Sequence, residues 1–72
     1  MSGLHETTEA TMIEAHKAGM AYWQRNKPHQ ATRDSLASHA RSCGWYDENN
    51  EAWLAGFYGA AKRDFLNTLA TR

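Results

Sequence analysis

The sequence predicts a small all-α domain of three helices. Three observations carry that reading. Apolar residues recur at helical spacing in three separate stretches. The chain has no valine, one isoleucine and no alternating apolar–polar run, so a strand signal is missing. Its 72 residues suffice for one domain, 1–72, with residues 1–7 expected to form a flexible N-terminal stretch. At this length folding buries only about 60% of the unfolded chain's surface, so the core is thin. Hydrophobic residues at 42% and charged residues at 22% are globular proportions and exclude a disordered chain.

The first helix is expected from about Thr8 to Arg25, with Ile13, His16, Met20 and Trp23 on one face. Thr11 and Glu14 match a capping box, which sets a start at Thr11 against one at Thr8. Glu9 and Glu14 near the start and Arg25 and Lys27 near the end suit the helix dipole. Pro28 closes the helix, because the residue before a proline is pushed out of the α region. The second helix is expected from about Thr32 to Cys43, with a small face of Leu36, Ala40 and Cys43, and Gly44 in the left-handed conformation just beyond it. The third is expected from about Asn49 to Leu69, with Asp47, Asn49 and Asn50 as candidate N-caps. Its stripe is Leu54, Tyr58, Ala61, Phe65 and Leu69, widened by Trp53 and Phe57.

Within the first and third helices one pattern occurs twice. Glu14-Ala15-His16-Lys17-Ala18-Gly19-Met20 and Glu51-Ala52-Trp53-Leu54-Ala55-Gly56-Phe57 both read Glu-Ala-x-x-Ala-Gly-apolar. Small residues four apart leave a groove where another backbone can come close. Gly56 and Gly59 each cost roughly 1 kcal/mol relative to alanine, which suggests a packing reason. Helices one and three are therefore expected to pack on each other at Gly19 and Gly56. Because short connections favour antiparallel neighbours, that pair is expected to be antiparallel.

Ala15-His16-x-x-Gly19, with Lys27-Pro28 downstream and then Trp53-Leu54-x-Gly56-Phe57, resembles the ribosome modulation factor family. Its members are short bacterial proteins of two helices joined by a proline-containing linker. The family's second helix opens with Trp-x-x-Gly-Trp, and Phe57 stands where the last tryptophan would be. The resemblance implies a non-enzymatic protein, free of cofactors, that docks on ribosomal RNA and protein and regulates translation.

Charge narrows where such docking would occur. The net charge is +0, which argues against a nucleic-acid coat and against an acidic DNA mimic. Neutrality hides a gradient: −3 over residues 1–14, +4 over 15–46 and −1 over 47–72. The middle stretch is where a polyanion would be welcome, and aromatic residues stand among its bases. Tyr22, Arg25, Lys27, Arg41, Trp45 and Tyr46 are accordingly the expected partner-binding residues. Neutral charge, small size and surplus aromatics fit a second class as well: a phage-type inhibitor, an anti-CRISPR for instance. It would block a host nucleic-acid-processing complex by protein–protein contact.

Other constellations are sparse. His39 and Cys43, four apart on a helix, have the spacing of two zinc ligands, and His16 or His29 would have to supply a third. The same pair lacks the orienting group that a nucleophile and its base require. The expected reading is structural, with a buried thiol, no metal and no catalysis, and His16 is expected in the core or an interface. One cysteine forms no internal disulfide, the N-terminus has no secretory pattern and no stretch is apolar enough to span a membrane. A cytoplasmic protein is expected, with a homodimer left open.

Overall fold

A computed structural model describes residues 7–28 and 30–70. Within them the chain forms three helices and no strand: α1 (Glu9–Asn26), α2 (Arg33–Ser42) and α3 (Glu48–Ala70). None is long and apolar enough to cross a membrane. The expected all-α, three-helix domain is thus what forms. The N-terminal stretch up to Glu6, and His29, lie outside the described residues.

Side-chain caps set the first two helix starts. The Thr8 hydroxyl accepts from the Thr11 N–H at 3.2 Å, and the Thr11 hydroxyl accepts from the Thr8 N–H at 2.9 Å. Thr32 and Ser35 repeat this reciprocal box at the start of α2. Thr8, not Thr11, is therefore the N-cap of α1. That helix ends where Lys27 turns left-handed at φ 43°, its N–H bonded to the Trp23 carbonyl at 2.8 Å, just before Pro28. Gly44 follows α2 at φ 95°, as its position predicts. Asp47 immediately precedes α3, whereas Asn49 and Asn50 lie inside its first turn and are buried.

The direction of the helix pair corrects the sequence reading. The Thr11 hydroxyl donates to Asn49 Oδ1 at 3.1 Å, and the Trp23 indole N–H donates to Asp64 Oδ2 at 2.6 Å. Partners advance together along both helices, so α1 and α3 run parallel, not antiparallel. The physical reason is that the connection is not short: residues 27–47, α2 and its links, separate the two helices and carry the chain back, so that Arg33 at the start of α2 already bonds Glu51 in the first turn of α3.

The pair meets backbone to backbone at the two glycines, as expected. A methyl group placed on Gly19 would strike the Trp53 carbonyl and stand 2.9 Å from the Phe57 nitrogen. One placed on Gly56 would strike the His16 carbonyl and stand 2.8 Å from its carbon. The contacts are reciprocal: Gly19 and Gly56 hold the same place in the duplicated pattern, and so do His16 and Trp53. A repeat read in the same direction on both helices thus builds a quasi-symmetric parallel pair. Gly59 has open space around its missing side chain, so its expected packing role is not seen.

Close approach also decides which face is buried. On α1 it is Thr11, Ala15, Gly19 and Trp23, every fourth residue. Ile13 is 50% exposed and His16 is exposed, so the stripe expected from hydrophobicity is rotated away from the seam. On α3 the buried face holds Trp53, Leu54, Gly56, Phe57 and Ala60. Trp53 and Phe57 stack with centroids 5.9 Å apart, and Trp23 meets Phe57 edge-on at 5.6 Å. Each large apolar side chain buried here contributes roughly 1.5–3 kcal/mol. α2 adds Leu36 and Ala40 to this core. The Asn50 amide donates to the carbonyls of Ala37 at 3.1 Å and Trp45 at 3.2 Å, which ties α2 and the following loop to the start of α3. Of the face expected on α3, Trp53, Leu54 and Phe57 are buried and Ala61 is half-buried, whereas Tyr58, Phe65 and Leu69 remain exposed.

Candidate functional site

The six expected binding residues fall on two segments, the end of α1 and the end of α2 with its loop. One contact joins them. The Tyr22 ring packs on the His39 ring with centroids 4.5 Å apart, and both lie against Trp53, at 5.3 and 5.8 Å. Residues distant in sequence are thereby fastened to one aromatic cluster. His39 was not among the expected residues. The one hint was its place in the last turn of α2, since nothing local marks a histidine as the partner of a distant tyrosine.

Around this cluster the six residues differ in freedom. Tyr22 and Trp45 are half-buried and packed against the core. Arg25, Arg41 and Tyr46 are exposed. Lys27 is engaged: its ammonium lies 3.3 Å from Asp64 Oδ2. Among the middle segment's other bases, Arg33 binds both carboxylate oxygens of Glu51 at 3.0 Å. Both partners are more than half exposed, so the pair adds little stability. Lys17, Arg25 and Arg41 have no carboxylate within ion-pair distance among the described residues.

Lys27 also lines a shallow cleft of about 290 Å³ between the end of α1 and α3, with Trp23, Ala61, Asp64, Phe65 and Thr68. Asp64 is its electrostatic centre. The Trp23 indole bond, followed by the hydrogen bond from Lys27, holds its carboxyl below the ordinary value of 3.8, against the opposing effect of desolvation. A carboxyl whose folded value is depressed contributes stability above its unfolded value. That contribution is lost as pH falls through the folded value. Asp64→Asn should therefore lower the melting temperature at neutral pH. The gap to wild type should close as pH drops below 3.8. Thermal melts across pH check this, and a gap constant down to acid would contradict it.

The remaining chemistry is limited. Cys43 Sγ and His39 Nε2 lie 3.6 Å apart, and the thiol is exposed rather than buried, because Cys43 caps α2 instead of continuing its inner face. Among the described residues no group of three His, Cys, Asp or Glu side chains comes together to hold a metal. The Ala15, Gly19, Trp53, Gly56 and Phe57 residues that carry the family resemblance all sit at or beside the α1–α3 seam. Their positions are explained by packing. Compared with protein-family models, with curated proteins and with solved structures, the chain finds no match in any of the three.

Proposed function

We propose that this chain is a non-enzymatic binding protein of the cytoplasm. It docks on ribosomal RNA and protein together and thereby regulates translation. The observation that supports this best is the Tyr22–His39 contact, which fastens the end of α1 to the last turn of α2. Arg25, three residues after Tyr22, and Arg41, two after His39, are exposed and without carboxylate partners among the described residues, and Trp45 and Tyr46 follow in the loop. Unneutralised guanidinium groups beside aromatic rings suit phosphates and unstacked bases. The resemblance to ribosome modulation factors agrees with the same partner.

Arg41→Ala and Trp45→Ala should each leave the circular dichroism spectrum unchanged. Each should weaken binding to purified ribosomes by at least about 1 kcal/mol, as residues at a hot spot do. Affinity should fall steeply with salt, because each phosphate contact releases a counterion. Wild-type affinity in both variants would contradict the proposed surface. Zero net charge and the exposed Tyr46 favour the second reading, a phage-type inhibitor of a host nucleoprotein complex. On that reading ribosomes are not bound, and a protein target is held with a shallow salt dependence.

A further inference from the structure

The exposed thiol of Cys43 and the imidazole of His39 form a pair at the end of α2, with Sγ and Nε2 3.6 Å apart. Zinc bonds of about 2.3 Å to sulfur and about 2.0–2.1 Å to nitrogen, at a tetrahedral angle, set two such ligands about 3.5 Å apart. The pair therefore already has the spacing of one edge of a zinc tetrahedron. The imidazole is also held in place. Its ring packs against Tyr22 and Trp53, with centroids 4.5 and 5.8 Å away, so little rotamer freedom is left to lose on binding. The sequence reading placed the thiol in the core, where no metal would reach it. Its exposure beside a fixed imidazole changes what the pair can do.

One chain supplies two ligands, and among the described residues no third joins them. A structural zinc site needs four. We propose that two copies of this chain share one zinc ion, each giving Cys43 Sγ and His39 Nε2. A two-fold axis through the metal turns one pair into two cysteines and two histidines, a complete ligand set, as an isologous contact requires. The flank of α2 that bears the pair leaves room for this approach. Its exposed neighbours are Ser35 and Ser42, both small, with hydroxyls turned back to the carbonyls of Thr32 at 3.0 Å and His39 at 2.7 Å. Arg41, two residues before Cys43, lies about 160° round the helix, so its charge does not face the metal. On binding, each thiol releases its proton to solvent, and the two thiolates balance the charge of the ion.

Titration of the intact, reduced chain with zinc chloride, followed by sedimentation equilibrium, tests this. The expected result is uptake that stops at one zinc per two chains, with the mass rising from 8.1 kDa to twice that value and returning when a chelator is added. Cobalt(II) in place of zinc should show the strong visible bands of a tetrahedral site and a thiolate charge-transfer band in the near ultraviolet. Cys43→Ser, at an exposed position, should keep the circular dichroism spectrum. It should lose those bands and weaken zinc binding by more than the roughly 10–100-fold that loss of an outer-shell partner costs. His39→Ala should lose the tetrahedral bands as well. A chain that takes up no zinc from a slight excess overturns the proposal. So does one zinc per chain at an unchanged mass, or uptake that survives Cys43→Ser.

Discussion

Gly56→Ala and Gly19→Ala should each lower the melting temperature, while Gly59→Ala, three residues along the same helix from Gly56, should raise it. Alanine is the better helix former by roughly 1 kcal/mol, so propensity alone favours all three changes. The seam reverses the sign at two of them. At Gly19 and Gly56 the added methyl group meets carbonyl and amide atoms of the facing backbone. Backbone cannot rotate aside as a flexible side chain can, so the helices must separate. Overpacking of this kind costs about 1–3 kcal/mol, and separation also loosens Trp53 and Phe57 beside it. For a domain of this size each kcal/mol moves the melting temperature by about 4–8 °C. Leucine at either seam position should do more damage than alanine. Thermal melts of the three alanine variants check the account, and a Gly56→Ala variant as stable as wild type would contradict it.

Asn50→Asp should destabilise the fold although it preserves size and shape. The Asn50 amide donates to the carbonyls of Ala37 and Trp45 from a position only 3% exposed. A carboxylate has no donor to offer and brings a charge into the same place. Loss of a buried partner costs about 1–3 kcal/mol, more when a charge is left behind. Asn50→Ala should fall within that same range. The expected signature is local as well as global. α2 and the loop through Trp45 should exchange their amide hydrogens faster, whereas the α1–α3 seam should keep most of its protection until global unfolding. Equal loss of protection in all three helices would show that Asn50 does not tether α2.

The sequence displayed the helices better than their arrangement. Thr32 and Gly44 bound α2 as their residue types predict, because capping and left-handed turns are local chemistry. Gly19 and Gly56 were legible as contact points because a repeated small-residue pattern has few other uses. The direction of that contact was not legible in the spacing, which is the same for parallel and antiparallel pairs. The length of the connection, residues 27–47, was the available signal, since it suffices to bring the chain back to the start of α1. The buried face of α1 was misread for a related reason. Hydrophobicity favours Ile13, but the helices come close enough for Thr11, Ala15 and Gly19 to fill the seam, and Ile13 is left outside. The two asparagines were read as caps. Their burial depends on Thr11 and on α2, both far away in sequence.

For the candidate surface, the bases and aromatics could be named from composition and charge. Their grouping could not, because it rests on the Tyr22–His39 contact between two helices. Lys27 shows the limit most plainly. Its partner Asp64 lies two helices away, so an apparently free cation is partly neutralised in the fold.

The parallel α1–α3 pair, in backbone contact at Gly19 and Gly56, is the centre of this fold. A nuclear Overhauser spectrum of the unmodified protein tests it most directly. The account predicts cross-peaks from the Thr11 methyl group to protons of Asn49, from the Gly19 α-protons to the backbone of Trp53 and Phe57, and from the Trp23 indole to Ala61 and Asp64. Cross-peaks that instead join Thr11 to residues near Asp64 and Trp23 to residues near Asn49 would show an antiparallel pair and contradict it.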